Sequence, residues 1–203
     1  MINGSKIKNP DYFLWKRFKD GDQGALEDIY QQHYQALYNY GLRINADDNL
    51  VKDVIQELFF DIISNLKKIG DTDNIRFYLI ASFRRKMMLA LKKKANTILP
   101  GKDQYFVFNF DVSAEESIIK GEEDRSVRLK MRKIINNLSS RQKEAIFLKF
   151  YSNMTYEEIT QIMGISYQSA RSIIYKAIQT LRKILEKETS VRSEEHTSEL
   201  QSP

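Results

Sequence analysis

The chain has 203 residues, 42% of them hydrophobic, which suffices for one domain or two small ones, and its 32 Lys and Arg against 27 Asp and Glu give a net charge of +5 that leans toward polyanionic partners. With no Cys and only two His, His33 and His196, disulfide frameworks, thiolate zinc sites and histidine-rich centres are excluded, and neither a metal nor another cofactor is expected. No stretch approaches the roughly 20 apolar residues of a membrane span, and the N-terminus lacks the apolar core of a secretory signal, so a soluble cytoplasmic protein is expected.

Helical periodicity dominates, with 8 Gly and 3 Pro in the whole chain. Asp11 after Pro10 predicts a short helix through Phe18, and Asp22 caps a long one with Leu26, Ile29, Tyr30, Leu37 and Tyr40 inward, ending near Gly41. Asp47 begins a third helix that runs to about Leu66. Its Asp53, Glu57 and Asp61 recur every four residues and form one row of carboxylates, while Val51, Val54, Ile55, Leu58 and Ile62 face a core. Without histidine, and with all its ligands on one helix, the row is a poor metal site; a convex helix face also offers no cleft for a catalytic pair. Taken alone such a row is most often a solvated face, but Gln56 and the Phe59-Phe60 pair beside it suit a protein interface.

Lys67 to Asn74 is a short polar loop containing Gly70. From Ile75 to about Lys94 a fourth helix opens with Phe77 and Tyr78 and turns basic through Arg84, Arg85, Lys86, Lys92, Lys93 and Lys94. Rings interleaved with cations can hold unpaired bases, the rings stacking while the cations track phosphate; the alternative is that Phe77 and Tyr78 pack in the core. From Asn96 to Glu123 periodicity fails. Pro100-Gly101, the run Tyr105-Phe106-Val107-Phe108-Asn109-Phe110 and then Asp111, Glu115, Glu116, Glu122 and Glu123 read as an acidic tether with an aromatic segment, or as a short extended piece docked on one domain.

A second helical unit follows, from Arg125 to about Lys187, and its middle carries the most specific pattern. Ser139 with Gln142, and Thr155 with Glu158, are capping boxes that start helices near 140 and 156. Gly164 supplies the backbone freedom of a helix end, and Ser166 can cap the next helix at once. Ile159, Ile162, Met163, Ile165, Ala170, Ile173 and Ile174 form one buried stripe, and the opposite face of the last helix carries Gln168, Ser169, Arg171, Ser172, Tyr175 and Lys176. This is a helix-turn-helix whose outer side chains can reach phosphates and base edges in a major groove; a merely solvated helical hairpin is the bland alternative. Residues from 190 to the end, including Arg192, Glu194, Glu195, His196 and Glu199, break the pattern and read as an adapter scar; set aside, their net −2 leaves the rest of the chain at +7.

With both halves in view, the chain resembles the extracytoplasmic-function group of bacterial RNA polymerase sigma factors, from about Tyr12 to Ile184. The resemblance rests on Phe18-Lys19-Asp20-Gly21-Asp22, Ala25-Leu26, Leu37-Tyr38 and Asp53-Val54-Ile55-Gln56-Glu57-Leu58-Phe59 in the first half, and on Leu138 to Gln142, Tyr156 to Ile159, the turn and Arg171 in the second. It implies an all-α protein of two small helical domains, a region 2-like bundle over 10–95 and a region 4-like helix-turn-helix over 125–187, joined by an acidic linker over 96–124. It also implies site roles. Asp53, Gln56, Glu57 and Phe59 would contact core RNA polymerase. Lys67, Lys68, Asn74, Phe77, Tyr78, Arg84, Arg85 and Lys86 would open and hold the minus-ten element, and Tyr167, Gln168, Ser169, Arg171, Ser172, Tyr175 and Lys176 would read the minus-thirty-five element in duplex promoter DNA. The linker would lie in the channel used by emerging RNA, and an anti-sigma factor would be a further partner. The chain departs from the family at Tyr78-Leu79, where many members have Trp-Leu, and at Arg84-Arg85, where many have Arg-Asn; Arg84-Arg85 and Met163 to Ser169 are similar to members of the Bacteroidetes type. The rival readings are a freestanding helix-turn-helix regulator, which gives no reason for the Asp53 to Phe59 segment, and an enzyme acting on nucleic acid, which would need a phosphate loop or nucleophile-base pairing that the sequence lacks.

Overall fold

A computed structural model of the chain describes residues 9–98, 107–110 and 131–199. Secondary structure among these residues is entirely helical, and the chain divides into two compact units, Met1–Phe106 and Val107–Pro203.

The N-terminal unit holds α1 (Pro10–Lys19), α2 (Gln23–Ile44), α3 (Asp48–Ser64) and α4 (Ile75–Ile98). Each start has a local cause. Pro10 occupies the first turn of α1, where its missing N–H costs nothing, and the Asn9 side chain accepts from the Asp11 backbone. Asp22 accepts from the Ala25 N–H at 3.2 Å and Asp47 from the Leu50 N–H at 3.2 Å, each satisfying a donor that the helix leaves open. Hydrogen bonding from Arg17 holds the Asp22 carboxyl below the usual carboxylate range, so the cap stays ionised. Trp15, Phe18, Ile29, Leu37, Tyr40, Val51, Ile55, Leu58, Leu79, Phe83 and Met87 fill the space between the four helices.

Two expectations for α2 change. The helix continues three residues beyond Gly41 to Ile44, because Gly41 is a contact point and not a stop. A Cβ there would lie 2.6 Å from Val51 Cγ1 and 2.8 Å from Phe83 Cζ, so the bare backbone is what lets α2 approach α3 and α4. Gly41→Ala is therefore expected to destabilise the unit by about 1 to 3 kcal/mol through overpacking, outweighing the ~1 kcal/mol that alanine gains in helix propensity. A thermal melt reads this directly, and a melting temperature equal to or above that of the parent would contradict it. Tyr30, expected inward, is 39% exposed and lies edge-on over Phe59 with centroids 5.0 Å apart.

The C-terminal unit begins, within the described residues, with a helix over 131–136, called α5, followed by α6 (Ser140–Ile146), a π-helical turn (Phe147–Tyr151), α7 (Tyr156–Met163) and α8 (Tyr167–Glu199). Both capping boxes form: Ser139 and Gln142 exchange hydrogen bonds at 2.9 and 3.3 Å, and Thr155 and Glu158 at 2.7 and 3.2 Å. In the π turn the Ser152 N–H reaches back five residues to the Phe147 carbonyl at 3.0 Å, and Asn153 then takes φ 54°, a left-handed value asparagine tolerates. Helix α8 runs to Glu199, beyond the end near Lys187 expected from the sequence. Of the expected linker, residues 96–98 belong to α4 and Val107 to Phe110 to the C-terminal unit; Glu115, Glu116, Glu122 and Glu123 lie outside the described residues.

Candidate nucleic-acid and partner interfaces

The turn between α7 and α8 is built by Gly164, at φ 64° and ψ 43°, whose left-handed backbone lets its N–H and that of Ile165 return to the Thr160 carbonyl. Ser166 caps α8 by accepting from the Ser169 N–H at 3.2 Å. Ile159, Ile162, Met163, Ala170 and Ile174 are buried and Ile165 and Ile173 half-buried, so the predicted stripe is the α7–α8 seam, with Ala170 fully buried where the helices meet. Tyr167, Gln168, Ser169, Arg171, Ser172, Tyr175 and Lys176 are all exposed along the first turns of α8. The Tyr167 ring meets Tyr156 edge-on at 5.9 Å, which ties the start of α8 to the start of α7. Seven polar or aromatic side chains on the open face of a helix, positioned by a second helix across a tight turn, form a surface that can enter a major groove.

On the N-terminal unit, Asp53, Gln56 and Glu57 are exposed on α3 as their spacing requires, and Asp53 and Glu57 line a groove of roughly 600 Å³ together with Leu50, Val54, Lys86 and Leu89. Phe59 is placed differently. It is 6% exposed and packs under Tyr30, because it lies two positions past Glu57 and has turned inward; the ring that shares the face of Asp53 is Phe60, 69% exposed. Position 60 is seven residues from Asp53, so helical spacing carried that signal. The aromatic ring exposed beside the carboxylate row is therefore Phe60, while Phe59 lies in the core.

The expected minus-ten residues separate into three groups. Lys67, Lys68 and Arg85 are exposed, Phe77, Tyr78 and Arg84 are half-buried, and two others are structurally committed. The Asn74 side-chain Oδ1 accepts from the Phe77 N–H at 2.9 Å and so caps α4. Lys86 is the larger departure. Its ammonium lies 3.1 Å from Glu57 and 2.5 Å from Asp61, on the side of α4 that faces the carboxylate row, and its side chain is 18% exposed. Partial burial disfavours its charge, but the hydrogen bonds of Asp61 and Glu57 outweigh this and hold its pKa above the usual lysine value. A residue expected on nucleic acid is thus part of the support of the α3 surface.

Sequence reasoning missed how the loop before α4 is held. Trp15, the lone tryptophan, is 1% exposed; its indole N–H donates to the Gly70 carbonyl at 3.0 Å, and its ring lies 4.9 Å from Tyr78 and 5.4 Å from Phe18. Burial also raises the pKa of the Tyr78 phenol. Asn9 donates to the Asp73 carbonyl at 3.0 Å, Lys19 pairs with Asp71 at 2.6 Å and Asp11 accepts from the Ile75 N–H at 2.9 Å. Helix α1 therefore fixes both ends of the segment from Gly70 to Ile75. Among the described residues no helix is long and apolar enough to cross a membrane, and no group of three or more His, Asp or Glu is placed to hold a metal ion.

Comparison with known proteins places this arrangement. Residues 128–181 match the family described as sigma-70, region 4. The RNA polymerase sigma factor SigZ of Bacillus subtilis is 28% identical over 163 residues, covering 79% of this chain and 87% of the relative. The ECF RNA polymerase sigma factor SigM of the same bacterium is 21% identical over 160 residues, covering 79% and 94%. In fold, the chain is similar to the sigma factor RpoE of Bartonella quintana, solved in complex with the anti-sigma factor NepR, with a TM-score of 0.56 at 19% identity over 79% of this chain and 98% of that one. A region 4 match on the helix-turn-helix, a second helical unit before it, and relatives aligned along most of their length agree: the chain is similar to sigma-70 family RNA polymerase sigma factors, among them members of the extracytoplasmic-function group.

Proposed function

We propose that the chain directs core RNA polymerase to a restricted set of promoters and begins transcription there by holding opened DNA, acting in the cytoplasm and performing no covalent chemistry of its own. The observation that carries this reading is the row of exposed side chains from Tyr167 to Lys176 on α8, in a chain whose other unit presents Asp53, Gln56, Glu57 and Phe60 on one helix face. In this reading residues 10–95 dock on the polymerase and hold the minus-ten element, and residues 125–187 read the minus-thirty-five element as duplex. Lys67, Lys68, Phe77, Tyr78, Arg84 and Arg85 face the opened strand, while Lys86 positions Glu57 and Asp61. Opening DNA costs a few kcal/mol per base, to be offset by stacking and phosphate contacts. An anti-sigma protein is a further partner, of the kind bound to RpoE.

Binding to labelled promoter duplex, measured with and without core polymerase, separates this from a freestanding regulator. Specific binding is expected with polymerase present and weak, salt-sensitive binding without it; equally tight specific binding by the protein alone would favour the regulator. In the complex, Arg171→Ala is expected to cost about 1 to 3 kcal/mol and relax base preference in the minus-thirty-five element, whereas Lys176→Ala should weaken all sequences alike and reduce the salt slope by about one. Identical base preferences in the parent and the Arg171 variant would remove Arg171 from the reading surface.

A further inference from the structure

Phe108 belongs to a stretch that the sequence reads as a tether or as a piece docked on one domain, and none of its surface is exposed. Its ring lies 5.7 Å from Phe147 and 6.4 Å from Phe110, and Phe110 meets Phe147 at 6.3 Å and Tyr151 edge-on at 5.5 Å. The slot depends on the π turn, which stacks Phe147 and Tyr151 at 5.6 Å and 12°. Val107 to Phe110 is thus an anchored piece of the C-terminal unit, and the covalent path between the units ends there. From Ile98, the last residue of α4, to Val107 there are nine peptide steps, at most about 30 Å of chain; with the anchor released, the path from Ile98 to Met131 could extend to about 110 Å. Phe110 and Met131, on either side of residues 111–130, belong to the same unit, so the reach between the units is set before Val107.

We infer that Phe108 sets the working length of the tether and thereby how far apart the two promoter elements can lie, which makes it a specificity-determining residue for promoter spacing. This rests on the sigma reading above. Two extra base pairs between the elements displace one from the other by about 7 Å and rotate it by about 70°. A short tether resists that change, and a long flexible one follows it at little cost in effective concentration.

The test uses the full chain with core polymerase on a promoter whose spacer is lengthened and shortened in single base-pair steps. One variant carries a Gly/Ser insertion of about twelve residues between Gly101 and Lys102, before the anchor; a second carries the same insertion between Glu116 and Ser117, beyond it. With a two base-pair change, transcription by the parent and the second variant is expected to fall about tenfold, and by the first variant only about twofold. Phe108→Ala, once a thermal melt confirms a folded unit, should behave like the first variant. Identical spacer profiles for the two insertions would overturn the proposal while leaving promoter-dependent transcription intact; absence of such transcription from every promoter would overturn the sigma reading with it.

Discussion

Trp15→Ala is expected to destabilise the N-terminal unit by about 3 to 5 kcal/mol, the cost of removing a large ring from a packed interior. For a unit of this size that corresponds to a fall of order 15 to 30 °C in melting temperature, enough to leave it partly unfolded at physiological temperature. The effect has two components that a milder change separates. Trp15→Phe keeps most of the ring packing against Phe18 and Tyr78 but deletes the indole donor to the Gly70 carbonyl, a loss of about 1 to 2 kcal/mol. Because that bond ties down the loop carrying Lys67 and Lys68, the Phe variant should fold and still open promoter DNA less efficiently than the parent. Circular dichroism melts read the first effect and permanganate reactivity of promoter thymines the second. A Phe variant with full opening activity would show that loop position does not depend on the hydrogen bond.

Charge reversal on the α3 face, Asp53→Lys with Glu57→Lys, is expected to weaken association with core polymerase by at least about a hundredfold, since placing like charges across an interface costs several kcal/mol. Glu57 also pairs with Lys86, so the double variant sets two ammonium groups side by side. Asp53→Lys alone, away from that pair, isolates docking from folding. Phe60→Ala should add about 2 kcal/mol, as exposed aromatics at interface centres commonly do, without lowering the melting temperature. Affinity measured by anisotropy of the labelled chain decides the matter: undiminished association in both charge variants would place the docking surface elsewhere.

Much of this was legible in the sequence because it is set locally. Capping pairs such as Ser139 with Gln142 act over three residues, and the α7–α8 turn is fixed by one glycine and one serine. The outer face of α8 followed from helical spacing alone. What escaped depends on tertiary neighbours. Gly41 looks like a helix end until Val51 and Phe83 are seen against it. Lys86 looks like one cation in a basic run, but only the packing of α4 on α3 brings it to Glu57 and Asp61. Helical spacing puts Phe60, seven residues past Asp53, on the exposed face, and Tyr30 covers Phe59. The alternation of Phe106, Phe108 and Phe110 leaves a solvated tether and a docked extended piece both open, and the slot made by the π turn, which buries Phe108, decides for the docked piece.

On the reading proposed above, this chain lends RNA polymerase its choice of starting point. The most direct test mixes the purified chain with core polymerase and a library of promoter fragments and maps the 5′ ends of the transcripts. Discrete start sites are expected that share paired upstream elements, appear only when the chain is added and shift in sequence preference with Arg171→Ala. Transcripts whose start sites are the same with and without the chain would contradict the account.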